Sequence, residues 1–121
     1  DEIISEAISK GINIGWTNPC IEEWFSAYFG AMPTYANSVS CYNGFEQIFE
    51  RNAHQKYVKS DSAIYEKLNR FGNEEKAIRI ATQKMHEHRI QGKDKPSEQI
   101  PGTTVHLLVD EIKSKINQKE K

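Results

Sequence analysis

At 121 residues the chain fits one domain and can bury roughly two-thirds of the surface its unfolded form exposes. Sixteen Lys and Arg against seventeen Asp and Glu exclude a global polycation, so any nucleic-acid contact has to come from a local patch. A 37% hydrophobic and 27% charged composition reads as soluble and globular, and no apolar run nears the ~20 residues of a membrane span, so no membrane partner is expected.

Ile3, Ile4, Ala7 and Ile8 share a helical face, and Gly11 stops it. Ile12, Ile14 and Trp16 then alternate with Asn13, Gly15 and Thr17, which is a strand period. A lone strand cannot satisfy its backbone groups, so its partner is expected upstream of Asp1 in a longer parent protein. The opening residue is Asp1 rather than Met, and the first residues have no signal-peptide character. Both observations point to an excised fragment. Asn18 is a good N-cap and Pro19 suits the first helical position. Ile21, Trp24, Phe25, Tyr28 and Phe29 fall on one helical face, ended by Gly30. This helix is the predicted buried centre.

Residues 31–44 read as a loop rich in Pro, Ser, Asn and Tyr, with Tyr35 and Tyr42 expected to be exposed. Phe45, Ile48 and Phe49 begin a helix that fades near Asn52, and residues 54–59 form a polar connector. Ser60 or Asp61 caps a helix with Ile64, Tyr65 and Leu68 facing inward, ended at Phe71 and Gly72. Asn73 caps the next, with Ala77, Ile78, Ala81 and Met85 as its stripe. Residues 91–102 read as a second exposed loop. Thr103 or Thr104 caps a final helix with Val105, Leu108, Val109, Ile112 and Ile116 on one side, and the Lys-rich tail beyond frays. The expected organisation is a helix-strand-helix remnant of an α/β core over residues 1–30 and a helical subdomain over 31–121.

Glu22 and Glu23 open the central helix, where carboxylates favour the positive end of the helix dipole. That placement is enough to explain them, although a carboxylate at a strand-to-helix turn can also hold Mg²⁺ as part of a coordination shell. Cys20 sits in the first turn, where a thiol pKa can fall, but no His lies near in sequence and core packing is the plainer reading. Cys20 and Cys41 lack zinc-type spacing and make a poor disulfide framework, so a reducing cytoplasm is the expected location. His86 and His88 are two positions apart, about 200° around a helix, and cannot easily share a metal. His54, Lys56, Tyr57 and Lys59, with Arg89, Lys93 and Lys95 further on, could form basic patches with an aromatic for phosphate contact and base stacking. The bland alternative is that these cations solubilise the surface. His106, early in the last helix, is by its position a packed or capping residue.

The ordered set Asn18-Pro19-Cys20-Ile21-Glu22-Glu23-Trp24, then Tyr28-Phe29, Tyr57-Val58-Lys59 and Thr103-Thr104-Val105-His106-Leu107-Leu108-Val109, resembles the RloB-like family. These are bacterial proteins encoded beside restriction systems and related to abortive phage-infection proteins. The family pattern is Asn-Pro-x-Phe-Glu-x-Trp with a following His-Phe; here Ile21 replaces the aromatic and Tyr28 the His. The resemblance runs from about Ile12 to Ile112. It implies a front half that looks like a Toprim-type α/β domain, whose acidic motifs are not in this chain and which would cleave a nucleic-acid backbone with Mg²⁺. By the same resemblance, Glu22 would complete or buttress the metal site, and Lys59 and His106 would face the cleft as catalytic groups.

The expected fold is therefore a mostly α-helical fragment with one early β-strand, the C-terminal part of a larger α/β, Toprim-like protein. The expected function is a phage-defence nuclease in the full-length parent, with this segment lining the cleft. His54, Lys56, Tyr57 and Arg89 would contact DNA or RNA. The fragment alone is expected to be inactive and to carry no cofactor of its own. Two other readings stay open. One is a non-catalytic helical protein-interaction module; the other is a homo-oligomer joined through the unpaired strand at residues 12–17.

Overall fold

Thr17 faces Thr103 across a two-stranded antiparallel ladder, and Asn18 faces Gly102. The computed structural model in which this pairing is seen describes residues 15–120, with side chains to residue 116. The predicted first helix and residues 12–14 of the predicted strand lie outside the described residues. Strand β1 (Thr17–Asn18) pairs with β2 (Gly102–Thr103). The expectation that the strand must find its partner upstream is corrected by this pairing, because the partner lies 86 residues downstream. The Thr17 and Thr103 hydroxyls bond to each other at 2.9 Å across that separation. Trp16 extends the junction: Thr104 N–H donates to its carbonyl at 2.8 Å, and its own N–H donates to Thr104 Oγ1 at 3.0 Å. A strand of two residues shows no alternation to find in a sequence, which is why β2 read as loop and cap.

The rest of the described chain is mostly helical. Helix α1 (Ile21–Ala27) starts later than its sequence signals predict. Asn18 is held in β1, where its side chain donates to the Pro96 carbonyl at 2.6 Å, so Cys20 becomes the N-cap. The chain leaves α1 through a tightened turn, with Gly30 N–H donating to the Ala27 carbonyl at 3.1 Å. Gly30 sits at φ 109°, a conformation that costs a glycine little.

Helix α2 (Ser38–Ala53) begins within the predicted loop, because Asn37 caps it by accepting from Ser40 N–H at 2.9 Å. His54 closes it in the left-handed conformation. Tyr35 and Tyr42 are half-buried rather than exposed, and Tyr42 packs 5.6 Å from Tyr57. Helix α3 (Ile64–Phe71) follows a turn in which Asp61 accepts from Ala63 N–H at 2.9 Å and pairs with Lys67. Helix α4 (Glu74–Ile90) starts as predicted, with Asn73 Oδ1 accepting from Lys76 N–H at 2.9 Å.

Residues 91–102 are not a plain exposed loop. They contain a short 3₁₀ turn (Pro96–Glu98), and Pro96, Gln99 and Pro101 are buried. Helix α5 (Val105–Glu120) is started by Thr103, whose hydroxyl accepts from Val105 N–H at 3.1 Å. It continues regularly to Glu120, where the sequence reading has a frayed tail. Ile112 and Ile116, predicted to face inward, are more than half or half exposed, at 59% and 50%.

The core is aromatic and centres on α1. Trp24 and Tyr28 meet edge to face at 5.2 Å, and Phe25 and Phe29 pack on Phe45 of α2. Tyr57 closes this cluster edge-on to Phe45 at 4.7 Å. Ala77 and Ala81 are fully buried, small residues that let α4 lie close to α1. Among the described residues α1 shares one core with α2, α3 and α4.

Candidate functional site

The first turn of α1 carries two carboxylates into the interior. Glu22 and Glu23 are both completely buried, an arrangement that needs a charged partner or a captured proton. The two residues reach different solutions.

Glu22 takes the partner. Lys59 Nζ donates to its Oε1 at 2.8 Å, and this hydrogen bond is the main reason the Lys59 pKa is raised. The same ammonium stands 5.5 Å from the centre of the Tyr42 ring. Lys59 is largely exposed, so the pair joins a buried carboxyl group to an ammonium at the surface. Glu22 Oε2 is buried and has no hydrogen-bond partner. Tyr57 lies in reach of this charge: burial first, and then Glu22, push its phenol well above the ordinary range.

Glu23 takes the proton. Burial raises its carboxyl from 4.5 to about 7, against the opposing pull of the Cys41 thiol and the Lys84 charge. The thiol donates to Oε2 at 3.6 Å, and Oε1 has no partner.

His106 sits in the first turn of α5, 4% exposed, with its ring centre 6.4 Å from that of Trp24. Its Nδ1 has no hydrogen-bond partner. Burial lowers its pKa; Asp110 pulls the other way, Arg89 adds to the lowering, and a backbone bond with Thr103 opposes it. With Thr82, Met85, Arg89, Thr104 and Leu107 it lines a recess of about 110 Å³. His106 meets α1 through Trp24, which points about 200° around the helix from Glu22. The expected cleft residues thus fall into two groups, Glu22 with Lys59 and His106 with Arg89.

Of the expected nucleic-acid contacts, Lys56 and Tyr57 line one groove and Arg89 another. Tyr57 is 5% exposed and spends its ring on the core, leaving no open face for a base to stack on. His54 is exposed at the end of α2. Lys56 lines a groove with Glu46 and Glu50, whose carboxylates oppose a phosphate there. A basic surface not singled out from the sequence lies elsewhere. Lys76, Arg79 and Lys84 line a groove of about 820 Å³ between α4 and the chain after α1, with Met32, Pro33 and Ile80 as apolar lining. Glu87 is its acid, already paired with Lys84 at 3.6 Å. The signal was present in the helical spacing of Lys76, Arg79 and Gln83, which share one face of α4.

A second feature missed by sequence reasoning is Glu74. Its Oε2 accepts from Tyr28 at 2.9 Å and from Tyr65 at 2.6 Å, and its Oε1 pairs with Lys113 at 3.1 Å. Tyr28 therefore uses its hydroxyl to tie α1 to the start of α4. This bond raises the phenol pKa further, after burial.

Mg²⁺ finds an incomplete set of donors. Among the described residues no three His, Cys, Asp or Glu side chains converge as a metal-holding group. Glu22 offers one spare buried oxygen, whereas a Mg²⁺ shell takes about six oxygen donors, waters and substrate included.

No curated protein and no solved structure matches the chain. Residues 1–112 match the model of a family described as RloB-like protein. On a match that spans most of its length, with the Asn-Pro turn, the buried Glu22–Lys59 pair and the Thr-Val-His start of α5 inside it, the chain belongs to the RloB-like family.

Proposed function

We propose that this chain is the cleft-lining segment of a phage-defence, restriction-linked protein that cleaves nucleic acid with Mg²⁺ through a Toprim-like domain. The observation that carries the reading is Glu22: a fully buried carboxylate, oriented through Oε1 by Lys59, with Oε2 uncommitted. Such an oxygen can accept from a metal-bound water or from a group of an adjoining domain. The metal-binding carboxylates come from elsewhere in the parent, and the hydrogen bond from Lys59 orients Glu22 for that role. The groove of Lys76, Arg79 and Lys84 supports contact with a phosphate backbone.

The test is a Mg²⁺ and Mn²⁺ nuclease assay on the full-length parent, wild type and Glu22→Gln, with the 121-residue chain alongside. Cleavage by the wild type, lost in a folded Glu22→Gln parent and absent from the chain alone, is the expected result. Equal cleavage by both parents returns Glu22 to a structural role.

A specific observation also favours a protein-interaction or dimerisation module. Leu107, Ile112 and Ile116 leave apolar surface exposed on α5, at 58%, 59% and 50%. Salt separates the readings, because phosphate contacts weaken steeply as salt rises and apolar docking does not.

A further inference from the structure

The start of α5 and the C-terminal half of α4 enclose the recess of about 110 Å³ that Thr82, Met85, Arg89, Thr104, His106 and Leu107 line. Two of the six spend their hydroxyls on the fold. Thr82 donates to the Ile78 carbonyl at 2.7 Å, and Thr104 accepts from Trp16 N–H at 3.0 Å. Met85 and Leu107 add apolar wall. The other two are Arg89, exposed in the last turn of α4, and His106, 4% exposed in the first turn of α5. His106 Nδ1 is buried with no hydrogen-bond partner. An orphaned ring nitrogen costs free energy that a ligand in the recess would recover.

Three features select an anion. Arg89 brings a permanent charge and a planar fork of donors suited to phosphate oxygens. The recess lies at the N-terminal, positive end of a sixteen-residue helix. Its apolar wall lowers the local dielectric and strengthens both attractions. Of the groups around the ring, Arg89 comes from α4, Trp24 of α1 is neutral, and Asp110, one turn along α5, is exposed and is not on the recess wall. Size narrows the choice. A water takes about 30 Å³, so the recess has room for about four water-sized groups, which suits a phosphate group and leaves a nucleoside outside.

We propose that this recess binds the phosphate group of a phosphate monoester or of inorganic phosphate, held between Arg89 and His106, with one proton shared between His106 and a phosphate oxygen. Burial, with Arg89 beside it, keeps the empty site's ring neutral at pH 7. A bound anion favours the charged ring, so the complex takes up a proton that the free ring and the free dianion lack. A phosphate monoester, with a second pKa of about 6, also delivers that proton itself. Sulfate has the same shape and brings none at neutral pH. The proposal stands apart from the nuclease reading, since it uses neither Glu22 nor a metal.

The experiment titrates the folded 121-residue chain with inorganic phosphate, following the His106 ring by NMR and affinity by calorimetry, with sodium chloride at matched ionic strength as control. Expected are a saturable shift of the His106 ring, a ring pKa raised by phosphate, and an affinity that falls by up to about tenfold per pH unit above 7. Sulfate should bind about tenfold more weakly, for want of one hydrogen bond. Arg89→Gln, at an exposed position, should weaken phosphate binding at least about tenfold, with part restored in Arg89→Lys. His106→Gln, shown to be folded by circular dichroism, should flatten the pH dependence above 7. A dinucleotide with a 5′-phosphate separates the two sources. Tighter binding of it than of inorganic phosphate assigns the recess to a nucleic-acid end, and equal or weaker binding assigns it to a small phosphate compound. No shift beyond the chloride control overturns the proposal. So does undiminished binding in folded Arg89→Gln, and so does equal affinity for sulfate.

Discussion

Replacing Glu23 with Gln should change how stability depends on pH, and the sign follows from burial. The folded carboxyl titrates near 7 and the unfolded one near 4.5, so between these values the folded chain holds a proton that the unfolded chain has released. The stability tied to that proton is complete below 4.5, falls as pH rises, and is gone above about 7. At about 1.4 kcal/mol per pH unit, the interval from 4.5 to 7 amounts to about 3 kcal/mol. Gln keeps the shape and cannot ionise. Urea denaturation at constant m-value, measured from pH 4 to pH 8.5, should therefore show wild type losing about 3 kcal/mol relative to Glu23→Gln across this window. His106 works in the opposite direction, since its lowered folded pKa costs stability as pH falls below 6.5, but it is common to both proteins and cancels in the difference. Parallel profiles for the two proteins would refute the assignment of a protonated, buried Glu23.

Lys59→Met leaves Glu22 buried without its cation and should cost about 1–3 kcal/mol by urea denaturation, with part recovered on adding Glu22→Gln. Two additive single costs in that double-mutant cycle would deny the coupling. Tyr28→Phe removes a hydrogen bond to a carboxylate that keeps Tyr65 and Lys113, so it should cost about 1.5 kcal/mol; an unchanged denaturation midpoint would count against the Glu74 hub. Gly72→Ala should destabilise by about 1–3 kcal/mol, because its Cβ would lie 2.7 Å from the Tyr28 carbonyl oxygen and 2.9 Å from that of Leu68. Backbone on two sides cannot yield cheaply, and a neutral thermal shift would contradict that geometry. An NMR titration should find the His106 ring below 6.5, and Arg89→Gln should raise it by removing a nearby positive charge; no movement would separate Arg89 from the recess.

The helices were legible where the sequence carried local signals. Asn73 caps α4, Gly30 and Gly72 punctuate, and the Ala77, Ala81 and Met85 stripe is buried as its spacing predicts. Signals failed where a distant contact overruled them. Asn18 reads as an N-cap, yet its pairing with Gly102 and its bond to Pro96 hold it in a strand. Gly44 and the polar residues before it read as loop, yet Asn37 caps a helix that runs through them, with Tyr35 packed where a side chain at Gly44 would sit. Tyr57 looked like a stacking residue beside lysines because its aromatic partners, Phe45 and Phe49, lie back in α2, outside the connector that carries it. The Glu22–Lys59 pair joins residues that the family pattern placed in one cleft, whereas the burial of Glu23 and the Glu74 hub depend on partners that no spacing rule connects.

The β1–β2 junction sets how this segment relates to whatever surrounds it. Thr17 and Thr103 lie opposite one another, and opposed Cα atoms in such a ladder are only about 5 Å apart. The 86-residue separation between them thus begins and ends at nearly one point in space. A segment with coincident entry and exit can be accepted by a host fold at a single turn, without moving the flanking elements. By the same geometry, a short linker joining residue 17 directly to residue 103 would remove the aromatic core and leave α5 attached to the junction. The boundary of the segment is written in four residues, Thr17, Asn18, Gly102 and Thr103.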